Sequence, residues 1–505
     1  MGLPAPIPAT HDARSQTLAS LLGNPRYSNQ LGAAKLVVPA ADAVGFALAA
    51  FCGTLIQWWY SPLAATVFDL WAGQAGLVTF AFYAALVVSA LGRFWLLGHY
   101  TRRRPFADET REMLSTLMVL AVIDAALLYL GKQAFSRSWF LSTWALALIL
   151  VPTARVLSKS ILIRLGKWQI PTIVIGTGAN AREAAEALHS ERLMGMEVVA
   201  FGALTFDEAR EHEISVCNRI VPVAHLVDPV ADITAIGSPN VVVALEQNGL
   251  AASQRLVERL HRQFSELSIV PALRGLPLYG MEINHFFRHE ALFLRLHNNL
   301  GRRGPRLTKR LFDVFASATL LLLLSPLFAY IAAQIKRSGG SVFFGHTRIG
   351  RNGQAFKCYK FRSMVPNAQS VLTDLLDKDP AAKAAWQREF KLKDDPRVTP
   401  IGAFLRKTSL DELPQLWNVL RGDMSLVGPR PVTRMEISLY GEDAPYYLGI
   451  RPGMTGLWQI SGRNDVEYKN RVYLDTWYVK NWSLWQDIVI LVKTFHVVLR
   501  RTGAY

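Results

Sequence analysis

Four apolar stretches crowd the first third of the chain, at 36–56, 75–97, 113–130 and 139–157. Each is long or nearly long enough to cross about 30 Å of hydrocarbon. They follow one another without amphipathic breaks, which argues against a helical bundle buried in a soluble protein. A four-helix transmembrane bundle over 34–158 is therefore expected, after an N-terminal segment 1–33. Apolar residues make up 51% of the 505 residues, more than a soluble protein of that size usually carries. The length itself calls for two or three folding units.

The loops carry an orientation signal. The loop at 57–74 has no Lys or Arg, whereas 98–112 holds Arg102, Arg103, Arg104 and Arg111, and Lys159, Arg164 and Lys167 follow the fourth stretch. By the positive-inside rule the N-terminal segment, the second loop and everything after residue 158 face the cytoplasm. Lys132 and Arg137 in the third loop oppose that bias. The first thirty residues lack an apolar h-region, so no cleaved signal peptide is expected. Cys52, Cys217 and Cys358 are far apart and match no metal-ligand spacing, so no disulfide framework is expected.

Residues 168–300 change character. Pro171–Ile175 reads as a short buried strand, Gly176-Thr177-Gly178-Ala179-Asn180-Ala181 as a glycine turn, and Arg182–Leu188 as a helix, with further strands at Val198–Phe201 and Val241–Leu245. The alternation predicts a small Rossmann-like α/β domain. The turn could hold a phosphate at a helix N-terminus. No acidic residue closes the second strand, where a ribose would need one, so a structural or regulatory role is preferred over a dinucleotide site.

Leu311–Ile335 is apolar again, between Lys309-Arg310 and Lys336-Arg337, with Ser325-Pro326 near its middle. Basic flanks at both ends keep both ends on one side, and the proline breaks or kinks a helix. A re-entrant helix over 308–336 satisfies both facts; a plain fifth span is the alternative. Residues 301–370 contain twelve Lys/Arg and a single acid, Asp313, within a chain of net charge +16. Such a bias beside a membrane segment suits anionic headgroups and phosphate substrates. Trp482–Arg501 reads as an amphipathic helix on the membrane surface, or as one packed on its own domain.

Candidate chemistry lies in Arg406-Lys407-Thr408-Ser409-Leu410-Asp411-Glu412-Leu413-Pro414-Gln415. Adjacent carboxylates need a metal or a cation to stay ionised, and a carboxylate can attack phosphorus to form an acyl phosphate. The same run admits a blander reading, with Ser409 as an N-cap and the two acids in the first helical turn. Downstream, Gly422–Pro431 and Arg451–Gln459 are tight Gly/Pro loops that hold Arg430 and Arg451, and Ser461-Gly462-Arg463-Asn464 adds Arg463. Rigid guanidinium groups suit phosphate.

Residues 305–505 resemble the catalytic region of the bacterial polyprenyl-phosphate sugar-phosphate transferases, the monotopic phosphoglycosyl transferases. The resemblance rests on Lys309–Asp313, Ser325-Pro326, Lys360-Phe361-Arg362-Ser363-Met364, Asp395–Thr399, Thr408–Gln415, Gly422–Pro431 and Arg451–Gln459. The four spans and α/β middle resemble the large subfamily that starts O-antigen, capsule and exopolysaccharide synthesis. The ending Arg501–Tyr505 is similar to its undecaprenyl-phosphate galactose branch. The expected fold is thus a four-helix membrane bundle, a Rossmann-like α/β domain, and a mainly helical catalytic domain with a re-entrant helix.

The resemblance implies transfer of hexose 1-phosphate from a UDP-hexose to undecaprenyl phosphate, at the cytoplasmic face of a bacterial inner membrane. Asp411 would be the nucleophile, with UMP released and Glu412 in support. Lys407, Arg430, Arg451 and Arg463 would bind phosphates. Mg²⁺ would be held by Glu412 and Glu442, with Asp423 a rival ligand. Galactose is favoured over glucose. A homodimer through the bundle's lateral face and contacts with inner-membrane lipids are further expectations. A membrane-bound nucleotide-sugar dehydratase is disfavoured, since no Tyr-x-x-x-Lys occurs in the chain. A nucleic-acid partner is not expected, because the basic residues cluster beside apolar segments. A non-enzymatic scaffold for polysaccharide assembly is the alternative of another class.

Overall fold

The structure, a computed structural model, describes residues 30–60, 74–130, 136–379, 395–461 and 468–500, apart from 206, 236–238, 247–248, 250–252, 265, 274, 279, 286–291 and 338. The chain divides into two compact units, Met1–Leu273 and Arg274–Tyr505.

The first unit opens with α1 (Gln30–Trp59), α2 (Gln74–Leu96), α3 (Phe106–Leu130) and α4 (Arg137–Arg164). All four are long and apolar enough to cross a membrane. Glycines let α1 approach α4: a Cβ on Gly45 would lie 2.9 Å from the Val151 Cα, and one on Gly53 2.1 Å from the Thr143 Oγ1. Small residues matter at such contacts because lipid offers no hydrophobic drive to join helices. The outward faces expose Leu48, Phe51, Leu77, Val88, Met118 and Val122, a surface suited to acyl chains.

The apolar pattern starts the third span at 113, yet α3 begins at Phe106. Its first turns carry Asp108, Glu109 and Glu112, which a hydropathy pattern treats as an end. The helix continues because two of these charges are matched. Lys159 Nζ donates to Glu109 Oε2 at 2.5 Å, and Arg104 donates to both Glu112 oxygens at 2.8 and 2.9 Å. Just beyond α4, Trp168 ties the bundle to the α/β part of the same unit. Arg103 lies over its ring at 3.7 Å, and its Nε1 donates to Leu193 O at 2.9 Å.

The α/β part comprises β1 (Ile170–Ile175), α5 (Ala179–Ser190), β2 (Met196–Ala203), β3 (Glu213–Val216), β4 (Arg219–His225), α6 (Pro229–Ala235), β5 (Asn240–Val243), α7 (Gln254–Gln263) and β6 (Leu267–Ile269). The sheet order is β3-β4-β2-β1-β5-β6, and every pairing except β3–β4 is parallel. The expected strands and helix are all present. The glycine turn sits after β1, between β2 and β5, where such folds bind ligands. Here the anion position at the start of α5 is taken from within. Glu246 Oε1 accepts from Asn180 N at 2.8 Å, and a Cβ on Gly178 would lie 2.7 Å from that same oxygen.

In the second unit β7 (Glu282–His285) and β8 (Leu292–Arg295) form a hairpin. The sequence assigns 274–300 to the middle domain, but this segment groups with the C-terminal region. Leu278 N donates to Asn481 Oδ1 at 2.7 Å, and Asn299 Nδ2 donates to Trp482 O at 3.1 Å.

The apolar run forms α8 (Arg303–Leu323) and α9 (Ser325–Arg337), bent by 62° at Leu324. The bend falls where Ser325-Pro326 predicts it. Pro326 stands in the first turn of α9, where a missing N–H has no helical partner to lose. Ser325 Oγ donates to Leu322 O at 2.7 Å. Leu307, Leu311, Phe315 and Leu322 leave an exposed apolar face along α8.

Next come the antiparallel hairpin β9 (Phe343–Ile349) and β10 (Ala355–Phe361), then α10 (Ala368–Lys378), α11 (Pro400–Lys407) and α12 (Gln415–Arg421). β11 (Ser425–Val427), α13 (Arg434–Ile437), α14 (Ala444–Leu448), β12 (Gly453–Thr455), α15 (Leu457–Ile460), α16 (Tyr468–Lys480) and α17 (Leu484–Arg500) complete the unit. β11 and β12 pair in parallel, and the two glycine loops meet back to back: a Cβ on Gly453 would lie 2.1 Å from Gly428 N. α17 packs one face on its own domain and leaves apolar side chains exposed on another. Asp487 and Ile490 are buried in the unit's own core, while Val492 and Phe495 are exposed.

Candidate active site

Three local features bring the chemistry together. Lys360 ends β10. α11 starts on Thr399, whose Oγ1 accepts from Gly402 N at 3.0 Å, with Pro400 at the first helical position. α11 presses on the segment after β10 at Gly402, where a Cβ would lie 1.9 Å from Ser363 O. Past α11, Ser409 is left-handed (φ +57) and leads into a 3₁₀ turn, Leu410–Glu412. A non-glycine residue there costs about 1–2 kcal/mol. The turn puts Asp411 inside, with 8% of its surface exposed. Ser409 stands at the N-cap of this turn with both acids in it, as the blander reading has it, but its side chain makes no capping bond.

Lys360 Nζ lies 2.7 Å from Glu412 Oε1 and 3.5 Å from Asp411 Oδ2. Burial pushes the Asp411 carboxyl above the usual carboxylate range; Lys360 opposes the rise and Glu412 adds to it. Burial disfavours the Lys360 ammonium, but Glu412 and Asp411 together hold it above the ordinary lysine value. The trio is therefore a partly desolvated carboxylate, a second carboxylate and a permanent cation.

These groups line a cleft of about 1230 Å³ whose lining is both charged and apolar. The charged side chains include Lys360, Asp411, Glu412 and Arg406. The apolar ones include Leu320 and Leu324 at the α8–α9 bend, with Leu413, Met454, Leu491 and Phe495. Arg406 Nε donates to Ser363 Oγ at 2.9 Å and pairs with no carboxylate among the described residues. Arg397, also at the cleft, is already matched by Asp395 at 2.6 Å.

The expected phosphate ligands divide. Arg430 lies over the Trp458 ring at 5.4 Å, and Trp458 lines the cleft. Arg471 covers the same ring at 4.5 Å, with its Nε buried and unpartnered among the described residues. Asp475 receives a backbone hydrogen bond from Arg430 and one from Tyr440 at 2.8 Å; burial lifts its carboxyl to about 7. Lys407 is exposed at the end of α11 and does not line the cleft; its neighbour Arg406 does. Arg451 faces elsewhere, its Nε donating to Gly422 O at 2.7 Å. Arg463 lies outside the described residues.

The expected metal set is not assembled. Glu442 is exposed and absent from the cleft wall. Asp423 is engaged by Asn418 Nδ2 at 3.1 Å and Arg421 at 3.2 Å. Among the described residues no three acidic, His or Cys side chains converge on a metal position. Glu412, one-third exposed beside the cleft, meets the needs of Mg²⁺ only together with substrate phosphates, which is how that ion is usually held.

Comparison with known proteins separates the same two regions. Residues 304–501 match the bacterial sugar transferase family, and residues 95–271 match a CoA-binding domain family. Undecaprenyl-phosphate galactose phosphotransferase of Salmonella typhimurium is 48% identical over 423 residues, 83% of this chain and 87% of the relative. The chain belongs to the polyprenyl-phosphate sugar-phosphate transferase family. The UDP-galactose-lipid carrier transferase of Erwinia amylovora is 45% identical over 431 residues, 84% of this chain and 88% of the relative. Exopolysaccharide production protein ExoY of Sinorhizobium fredii is 55% identical over 216 residues, 43% of this chain but 96% of ExoY. The ExoY relative is thus less than half as long as this chain. Lys360 lies in one of the motifs that carry the resemblance, and Arg406 in the acidic run, yet neither stands out there as a site residue. Hairpin pairing and helix rotation are what turn them, and not Lys407, toward the acids. Arg471 has no sequence signal at all.

Proposed function

We propose that this membrane transferase moves a hexose 1-phosphate, galactose 1-phosphate foremost, from a UDP-sugar to undecaprenyl phosphate. The observation that carries the reading is the Lys360–Asp411–Glu412 trio in a cleft that is lined by apolar side chains as well. The charged part of the lining suits a nucleotide diphosphate, and the apolar part, which includes the α8–α9 bend, suits a polyprenyl chain. The names of the Salmonella and Erwinia relatives support galactose and a lipid carrier. The bend, with basic residues at both ends, supports a helix that enters one leaflet and returns. Both substrates then meet at the cytoplasmic face of the inner membrane.

In the first step an Asp411 oxygen attacks the phosphorus bonded to the sugar. The bond from that phosphorus to the bridging oxygen breaks, and UMP leaves with its electron pair. In the second step an oxygen of undecaprenyl phosphate attacks the same phosphorus, the Asp411–phosphorus bond breaks, and the carboxylate is restored. Lys360 keeps Asp411 ionised for the attack, and Arg406, Arg430 and Arg471 offset phosphate charge. Glu412 would hold Mg²⁺ with donor phosphate oxygens, and the ion would neutralise the diphosphate. Membranes containing the chain, given undecaprenyl phosphate and a panel of UDP-sugars, should release UMP. Failure to release UMP from any of the sugars removes the reading, and undiminished release by Asp411→Asn removes the nucleophile.

A further inference from the structure

A second basic cavity lies apart from the cleft. Arg306 and Arg310 of α8, Arg351 of the β9–β10 turn, and Arg451 line it, with Asp313 as its one acid. None of the four arginines makes an ion pair among the described residues. Arg306 donates to Leu300 O at 2.8 Å, Arg310 to Val419 O at 2.7 Å and Leu420 O at 2.9 Å, and Arg451 to Gly422 O at 2.7 Å. The Arg351 Nε is buried with no partner among the described residues. Asp313 is taken up by Leu426 N at 3.1 Å, and Lys309, which also lines the cavity, by Asp487 at 2.7 Å. Burial and then Arg310 and Arg351 push the Arg451 guanidinium below its usual range. Four half-buried like charges, three of them held by backbone carbonyls, repel one another, and an anion between them would relieve that repulsion.

We infer that this arginine cavity binds a phosphate group, at a site separate from the catalytic cleft. At about 10–15 Å³ for each water-sized atom, its volume of about 30 Å³ takes two or three oxygens of a phosphate group and excludes a nucleoside. The phosphate can belong to a lipid headgroup or be free. Arg306 and Arg310 stand in the polar start of α8, whose later residues Phe315, Leu322 and Leu323 are apolar and exposed. That gradient sets the arginines at headgroup depth.

Thermal unfolding of the full-length chain in uncharged detergent tests this. One arm adds inorganic phosphate; the other compares phosphatidylglycerol with phosphatidylcholine. Saturating ligand should raise the wild-type midpoint by roughly 5 °C. Arg351→Gln loses no hydrogen bond from its Nε, so its ligand-free midpoint should not fall, while most of the shift should vanish. Arg337→Gln, an equal loss of charge elsewhere on the unit, should keep the shift. A response to phosphate identifies a free-phosphate site, and a response to phosphatidylglycerol alone identifies a headgroup site. Equal shifts in wild type and Arg351→Gln, or no shift in either arm, overturn the inference.

Discussion

In the membrane bundle Arg155 and Lys159 are almost completely buried, and each meets a carboxylate: Asp42 for the first, Glu109 for the second. At the cleft of the C-terminal unit the charges are matched unevenly. Lys360 is shared between two acids, and Arg406 has none among the described residues. The contrast separates two uses of buried charge. A matched pair fixes helices in place, because removing either partner strands the other in a low dielectric. An unmatched or shared charge has capacity left for a ligand, and stability is given up to keep that capacity.

Aspartates at the two places should therefore respond in opposite ways. Asp411→Asn should reduce UMP release by at least about 10³-fold, as loss of a nucleophile does. It should not lower the melting temperature. Burial raises this carboxyl's pKa in the fold, so the folded state binds the proton better than the unfolded one. Stability then falls as pH rises between the ordinary and the raised value. Ionised Asp411 is thus a cost at neutral pH, and Asn removes it. Asp42→Asn should do the reverse. It leaves Arg155 without its carboxylate and should destabilise the bundle by about 3–5 kcal/mol, with little change in turnover by molecules still folded. Unfolding in mixed micelles, run beside the UMP assay, distinguishes the two. A destabilised Asp411→Asn chain would break the comparison.

Lys360→Met sharpens it with a smaller effect. Without the ammonium, 3.5 Å from Asp411 and 2.7 Å from Glu412, Asp411 would ionise less readily. The acid limb of the pH–rate profile should move up by about 1–3 units. Turnover should recover substantially at high pH, where Asp411 is ionised without help. An unmoved limb would mean that Lys360 binds substrate without tuning the acid.

How much of this is legible in the sequence depends on whether the deciding feature is local. Span count, the strand at Pro171–Ile175 and the break at Ser325-Pro326 come from apolar runs and from proline's missing donor, which are local. The start of α3 is not legible, because Glu109 and Glu112 are hidden by partners 50 and 8 residues away, Lys159 and Arg104. In the cleft, Asp411 and Glu412 stand out as neighbours in sequence. Lys360 becomes their partner only when β10 and the left-handed turn at Ser409 come together. Lys407 and Arg406 are indistinguishable by composition; about 100° of helix rotation decides between them. Arg451 reads as a phosphate ligand of the cleft because glycine and proline flank it. Rigidity is visible in the sequence, but direction is not.

The smallest effect concerns the glycine turn of the α/β domain, where the chain supplies its own anion. Glu246→Ala removes the acceptor of the Asn180 amide and should cost about 1 kcal/mol, the usual worth of a lost cap. Amide hydrogen exchange gives the local readout, undisturbed by anions bound elsewhere. In the wild type the Asn180 amide should be protected, and added phosphate should leave it so. In Glu246→Ala that protection should fall and then return with phosphate, as the helix N-terminus recovers an anion. Phosphate-dependent protection in the wild type would instead show that Glu246 yields its place to a ligand. The turn would then join the unmatched charges of the C-terminal unit, on the binding side of the comparison.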